Sequence, residues 1–198
     1  MFAGDDYKNV LQLFRSVVSK IPRHDDNPMP LTARNVISYM GSLKHMSSEH
    51  AEVQEFLSII IPHIQHSNVL HISPVHFLKM MKACRHFYCS HRIVQEFFDA
   101  ICDNMIKSRG LVREVVGEPN SAELLPDTIA EAFLSFQNLK LSTPSVRRLV
   151  KSMIYILKPD IARPGAHKEF LPSHIACILY GCKSILEPTM GGADIVRE

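Results

Sequence analysis

The sequence lacks tryptophan, has only eight glycines, and contains no apolar run long enough to cross a membrane. A membrane-spanning helix needs about 20 consecutive apolar residues, so we expect no membrane contact of that kind. The glycines form no phosphate-binding loop, and neither a Gly-x-Ser-x-Gly elbow nor a His-Glu-x-x-His pair occurs. The sequence therefore predicts no catalytic residue and no cofactor, and we expect a protein that is not an enzyme.

An excess of charge of one sign is also missing, because 22 basic residues and 20 acidic residues leave a formal net charge of +2. Such a balance creates no bulk attraction to nucleic acid or to a membrane surface, so any basic surface has to be local. The five cysteines are odd in number, and three of them fall on apolar stripes of predicted helices. They indicate free thiols in a reducing compartment.

Four potential metal ligands lie within eight residues, at Cys84, His86, Cys89 and His91. A structural zinc site usually gathers its ligands from two separated elements. Here Cys84 already belongs to the apolar stripe of a predicted helix. We therefore interpret the segment as a core cysteine followed by a polar helix end, and we predict no metal site.

One apolar pattern returns three times along the chain. In each occurrence a helix-period stripe is followed, 17 residues later, by the start of a second stripe. The tetrapeptide Val-Gln-Glu-Phe occurs at 53–56 and again at 94–97, at the same place in its unit. This recurrence is typical of stacked helical hairpins, and three unrelated hairpins of an ordinary all-α protein are the alternative. The first stripes start at Val36, Phe77 and Ile129, and the second stripes start at Val53, Val94 and Val146.

The fold that we predict is all-α, a right-handed superhelical array of antiparallel helical hairpins, or α-solenoid. It has about three full units and a half unit at each end. An apolar face without its other half would be unfavourable in water, so we expect a partner subunit or an oligomer at these open ends. The single domain, 1–198, divides into a half unit at 7–21, units at 31–66, 72–107 and 124–158, a half unit at 170–186, and a flexible loop at 108–123.

Two local signals support the unit boundaries. Thr32 and Ser73 are expected to cap the first helices of their units. A column of small residues marks places where helices could approach closely. Its members are Ser42, Ala83, Ser135 and Gly181.

Basic side chains cluster on two of the predicted helices, where they could hold phosphates as point charges and forks. A polar column also occupies one early position of each first helix, as base recognition by helical repeats requires. Solvated helix faces and ordinary polar helix starts are the alternatives. The candidate RNA-binding residues are Lys79, Lys82, Arg85 and His86, then Arg147, Arg148 and Lys151, and in the polar column Asn35, His76, Thr128 and His174.

The units begin alike, with Leu31-Thr-Ala-Arg-Asn-Val-Ile-Ser-Tyr-Met, Ile72-Ser-Pro-Val-His-Phe-Leu-Lys-Met-Met and Phe170-Leu-Pro-Ser-His-Ile-Ala-Cys-Ile-Leu. They resemble the heptatricopeptide and octotricopeptide repeats found beside RAP domains and in FAST-kinase-like proteins. They are also similar to the degenerate α-repeats of kinetoplastid mitochondrial RNA-processing factors. The resemblance implies an α-solenoid that binds single-stranded RNA, or scaffolds a ribonucleoprotein, in a mitochondrion.

Two functions remain open from the sequence. The first is a non-catalytic module of a mitochondrial RNA-processing or RNA-editing assembly that contacts single-stranded RNA and other subunits. The second is a HEAT-like or armadillo-like protein-interaction scaffold without direct RNA contact, in the mitochondrion or otherwise in the reducing cytoplasm. The units start 41, 52 and 46 residues apart, and this irregularity favours a scaffold or a general RNA binder over a sequence reader.

Overall fold

Helices make up the regular secondary structure of the described chain, which contains no strand. The structure is a computed structural model that describes residues 4–21, 23, 31–66, 70, 72–115, 125–161 and 170–186. The prediction of an all-α protein is confirmed. The helices are α1 (Gly4–Val18), α2 (Ala33–Ser42), α3 (Ala51–His66), α4 (Pro74–Ala83), α5 (Arg92–Val115), α6 (Pro126–Leu134), α7 (Pro144–Ile161) and α8 (Pro172–Leu186), with a 3-10 helix at Ser135–Asn138.

Each helix packs most extensively against the helix two elements away in the chain. Helices α2, α4, α6 and α8 pack side by side in that order and form a first row, and α1, α3, α5 and α7 form a second row in the same way. The apolar side chains of both rows belong to one continuous core that reaches from Val18 to Ile185. A short turn connects α2 to α3, α4 to α5 and α6 to α7, and we call each of these connected pairs a hairpin.

The turn inside each hairpin has the same backbone hydrogen bonds in all three hairpins. We call these segments turn 1 (residues 43–50), turn 2 (84–91) and turn 3 (136–143). The side chains at equivalent places differ, so the backbone geometry repeats more faithfully than the sequence does. In turn 1, the N–H groups of Met46, His50 and Val53 donate to the carbonyls of Leu43, Ser47 and His50 at 2.8, 3.2 and 3.1 Å. The equivalent donors Phe87, His91 and Val94 bond at 3.0, 3.3 and 3.1 Å, and Leu139, Thr143 and Val146 bond at 2.9, 3.1 and 3.1 Å.

The repeated tetrapeptide has a physical role in these turns. Its glutamine amide reaches back to the turn that precedes the helix. Gln54 Nε2 donates to the Ser48 carbonyl at 2.9 Å, and Gln95 Nε2 donates to the Cys89 carbonyl at 2.7 Å. Each bond supplies a donor to a turn carbonyl that lies outside the hydrogen-bond pattern of the helices. In the third hairpin Arg147 takes the place of the glutamine.

The predicted helix starts agree with the structure, whereas the helix ends depart from it. The Thr32 side chain caps α2 in a capping box with Asn35, and the Ser73 hydroxyl accepts the His76 N–H at 3.3 Å. The first-row helices then end about one turn earlier than the apolar stripes indicated, because the Leu43 N–H bonds only three residues back, to the Met40 carbonyl at 2.9 Å. Leu43 and Met46 nevertheless stay buried in the turn.

Helix α5 is longer than the sequence indicated. It runs to Val115, so residues 108–115, which we assigned to the flexible loop, are helical. An isolated glycine inside a helix costs only about 1 kcal/mol relative to alanine, and Gly110 therefore does not end α5. The rest of the expected loop, 116–123, lies outside the described residues.

Asn104 of α5 joins the connection between the first two hairpins to the core. Its Nδ2 donates to the carbonyls of Ile64 and Leu70 at 2.9 and 2.8 Å, and its Oδ1 accepts the Ile72 N–H at 3.1 Å. The side chain is buried. One residue thus satisfies three backbone groups of a segment that leaves one helix and enters the next.

The small-residue column predicted close helix contacts, and Gly181 makes the closest. A Cβ atom built at Gly181 would lie 2.0 Å from the Phe133 carbonyl oxygen and 2.5 Å from its carbon. The backbones of α8 and α6 therefore meet without a side chain between them. Ala83 and Ser135 are also buried, whereas Ser42 is exposed.

We predict that Gly181→Ala destabilises the protein by about 1 to 3 kcal/mol, because the new methyl group forces α8 away from α6. The matched control is Gly41→Ala in α2, where nothing lies within 4 Å of the added atom. That change should be neutral, or stabilising by up to about 1 kcal/mol. Urea unfolding of both variants provides the measurement. Equal stability of the two variants would show that α8 does not approach α6 as described.

Candidate functional site

The basic residues predicted on α4 and in turn 2 are not equally available. Lys79 and Arg85 are exposed. Lys82 is half-buried, and its Nζ makes an ion pair with Glu131 of α6. An exposed pair of this kind contributes little stability, but it neutralises Lys82 locally. Lys79 and Arg85 are therefore the stronger phosphate ligands of this group.

The basic residues predicted on α7 divide in the same way. Arg147 and Lys151 are exposed. The Arg148 guanidinium forms an ion pair with Asp103 of α5, and its Nη1 lies 3.6 Å from Asp99 Oδ1. The hydrogen bond to Asp103 raises the pKa of Arg148 above its ordinary value. Arg148 thus joins α7 to α5 and is less suited to hold a phosphate.

The polar column predicted for base recognition lies at the helix starts. Asn35 Oδ1 accepts the Thr32 N–H at 3.1 Å, and His174 Nδ1 accepts the Leu171 N–H at 3.1 Å. Both side chains therefore close the first turn of their own helix. His174 Nε2 also lies 2.6 Å from Asp127 Oδ1, which links α8 to α6. The other two members, His76 and Thr128, are half-buried in the first turns of α4 and α6.

The three hairpin turns lie side by side and are joined by hydrogen bonds. The Ser48 N–H donates to the His86 carbonyl at 3.2 Å, and the Tyr88 N–H donates to Ser48 Oγ at 2.9 Å. From the other side, Gln137 Nε2 and Asn138 Nδ2 both donate to the Arg85 carbonyl, at 3.2 and 3.1 Å. Turn 2 is therefore held between turn 1 and turn 3.

This arrangement brings the predicted residues Arg85 and His86 together with others that we did not predict from the sequence. The additional residues are Lys44, His45, Gln137 and Asn138. Shifting the chain by 41 residues aligns Lys44 and His45 of turn 1 with Arg85 and His86 of turn 2, and a further 52 residues leads to turn 3. His45 and Arg85 are exposed, whereas Lys44 and His86 are half-buried. The two columns are visible in the sequence once the units are aligned. We call this surface the turn edge, formed by Lys44, His45, Arg85, His86, Gln137 and Asn138.

The pKa of His86 depends on two other residues of the turn edge. Partial burial lowers the pKa of His86 below 6.5, and the nearby charges of Arg85 and His45 lower it further. The effect of His45 reaches from turn 1 to turn 2. The turn edge is thus a local basic surface on a protein whose net charge is close to zero.

The cysteines near the turn edge are core residues. Cys84 Sγ donates to the Met80 carbonyl at 3.2 Å. Burial raises the pKa of Cys84 well above its usual range and raises the pKa of Cys89 to about 12. Burial therefore keeps both thiols protonated at neutral pH. Within the described ranges no group of three or more histidine, cysteine or acidic side chains is arranged to hold a metal ion.

No described helix combines the length and the apolar character that crossing a membrane requires. Comparison with protein-family models, with curated proteins and with solved structures found no match to this chain. Function therefore has to be argued from the turn edge and from the helix surfaces.

We predict that His86 titrates below pH 6.5 and that Arg85→Gln raises its pKa part of the way back, because one repulsive charge is lost while the burial remains. The folded protein then resists protonation of His86 more than the unfolded chain does. Its stability should fall as the pH drops below about 6.5 and should level off below the lowered pKa. NMR titration of the imidazole protons provides the measurement.

Lys79→Gln is the control for this titration, because Lys79 is not among the charges that shift His86. It should leave the His86 midpoint unchanged. If Arg85→Gln also leaves the midpoint unchanged, then the charge of Arg85 does not act on His86.

Proposed function

We propose that this chain is a non-catalytic helical-repeat module that binds single-stranded RNA along the turn edge, within a mitochondrial RNA-processing or RNA-editing assembly. One observation carries the proposal. Three turns of the same backbone geometry adjoin one another, and two of them present a Lys-His or Arg-His pair at equivalent places. A flexible polyanion could follow such a row from turn to turn.

The fold that we infer for this module is a right-handed α-solenoid of three hairpins with a half unit at each end. Two observations support it. Helices of each row pack against the next helix of the same row, which is how solenoid repeats bury their apolar faces. The turns also repeat bond for bond although their side chains differ.

The chemistry of the turn edge suits the backbone of RNA better than its bases. Arg85 offers a guanidinium fork for phosphate oxygens, and Lys44 offers a point charge. The histidines add charge when they are protonated, so binding should strengthen toward acidic pH. The amides of Gln137 and Asn138 already donate to the Arg85 carbonyl. We therefore infer a general RNA binder without a base-reading code.

A second candidate function is a HEAT-like or armadillo-like protein-interaction scaffold with no RNA contact. Two observations favour it. Lys82 and Arg148 form ion pairs with Glu131 and Asp103 within the fold, so their charges are less available to RNA. Exposed apolar side chains also occur on α1 and α8, as expected of surfaces that bind protein.

Fluorescence anisotropy with a labelled single-stranded RNA distinguishes the two functions. We predict that the wild-type protein binds at low salt, and that Lys44→Glu/Arg85→Glu abolishes this binding. Each phosphate that a lysine or arginine neutralises contributes about 0.7 to the log–log salt slope for a single strand. Lys44 and Arg85 together should therefore supply a slope of about 1.4.

The matched control is Lys20→Glu/Lys107→Glu, which changes the net charge equally at exposed positions after α1 and in α5. This variant should keep most of the affinity, although it lowers the overall attraction of the protein for RNA. Equal losses in both variants would mean that only net charge matters. Absence of binding by the wild type at any salt concentration would leave the scaffold function.

A further inference from the structure

Helix α1 is the first second-row helix of the described residues, and no described first-row helix precedes it. Its inner side packs on α3, through Val18 in the core and through an ion pair of 2.7 Å between Arg15 and Glu52. Its other apolar side is open, and Leu13 is 67% exposed. The exposed residues Val10, Leu13 and Val17 align with Val53, Phe56 and Ile60 of α3, which are almost completely buried.

Helix α8 is the opposite case, a first-row helix that no described second-row helix follows. Its Gly181 side packs closely on α6. Ile175 and Leu179 of α8 are 49% and 62% exposed. The aligned residues of α2 and α4 are completely buried in the shared core. These residues are Val36 and Met40 in α2, and Phe77 and Met81 in α4.

Helix α7 lacks the same neighbour. Its Ile154 is 58% exposed, whereas the aligned residues Ile61 of α3 and Cys102 of α5 are buried. Ile61 and Cys102 lie on helices that have a following second-row helix, and Ile154 does not. A single second-row helix placed after α7 would therefore cover the open positions on both α7 and α8.

The chain contains a helix of the required kind at its other end. Helix α1 is a second-row helix, and the side chains that it leaves open align with residues that are buried in α3. Within one copy the two helices belong to opposite ends of the array, since α1 packs on α3 and α8 packs on α6. The complementary surfaces can therefore meet only between two copies.

We propose that this protein associates head to tail, with α8 of one copy and α1 of the next copy forming a composite hairpin. In the composite hairpin, Ile175 and Leu179 cover Val10, Leu13 and Val17, and Ile154 of α7 is covered by α1 of the incoming copy. The composition of α8 agrees, because Lys183 is its only lysine, arginine or acidic residue. A helix surface that faced water permanently would carry more charge.

This contact is heterologous, since it joins two different surfaces. It leaves one open α1 and one open α8 after each addition, so assembly continues into a chain or closes into a ring. The proposal does not depend on RNA binding, because the turn edge is not part of the composite hairpin.

Sedimentation velocity over a range of protein concentrations tests the proposal. The wild type should gain mass as its concentration rises. Leu13→Glu/Val17→Glu and Ile175→Glu/Leu179→Glu change only exposed residues, so both variants should fold, and circular dichroism checks this. Each variant alone should stay a monomer, because each has lost one of the two complementary surfaces.

The decisive sample is the equimolar mixture of the two variants. One variant keeps an intact α8 face and the other keeps an intact α1 face, so the mixture should form a 1:1 dimer of twice the monomer mass and grow no further. The control Gln65→Glu/Ser90→Glu changes exposed polar residues of α3 and turn 2, outside both faces, and should associate like the wild type. The turn-edge variant Lys44→Glu/Arg85→Glu should also associate normally, which separates this proposal from RNA binding.

Three results would overturn the proposal. A wild type that stays monomeric at every concentration would mean that the open faces are covered by another segment or another protein. Association of either variant alone would indicate a symmetric contact between like ends. A mixture that stays monomeric would show that α1 and α8 do not complement each other.

Discussion

The burial of each helix in this protein depends on the next helix of its own row. Helices α2, α4, α6 and α8 cover one another in sequence, as do α1, α3, α5 and α7, and the two rows share a single core. Helices α3, α4, α5 and α6 therefore have a row neighbour on both sides, whereas α1, α2, α7 and α8 each have one row neighbour among the described helices. The exposure of Leu13 and Leu179 follows directly, since both align with residues that are buried wherever a neighbour is present.

The same stacking creates the turn edge. Because the three turns share their backbone hydrogen bonds, a residue at a given place in one turn lies beside its equivalent in the next. The amides of Gln137 and Asn138 bond turn 3 to turn 2, whereas the exposed side chains of His45 and Arg85 point to solvent at their places in the turns and can carry function. The apolar ends and the basic turn edge are thus two consequences of one packing scheme, and the first favours protein contacts while the second favours a polyanion.

Much of this fold could be predicted from the sequence because it depends on local signals. The 17-residue distance from Val36 to Val53 reflects the length of a helix plus its turn, and Thr32 and Ser73 mark helix starts through short-range hydrogen bonds. The functional surface was harder to predict. The turns are joined through backbone groups, such as the Arg85 carbonyl. Every residue has such groups, so the residue type does not show which of them will form a bond between turns. Arg148 of α7 forms an ion pair with Asp103 of α5, and the sequence does not show that these two helices lie close together. Residues 108–115 were predicted to belong to a loop, but α5 continues through them to Val115.

Native-state hydrogen exchange of the dilute protein, measured amide by amide with NMR, tests whether row neighbours stabilise each helix. If each helix is stabilised by its row neighbours, opening should begin at the ends of the array. The account predicts the slowest exchange in α4 and α5, intermediate exchange in α3 and α6, and the fastest exchange in α1 and α8. Equal protection of α1, α5 and α8 would contradict it, because the chain would then unfold as one cooperative globule without a stacked order.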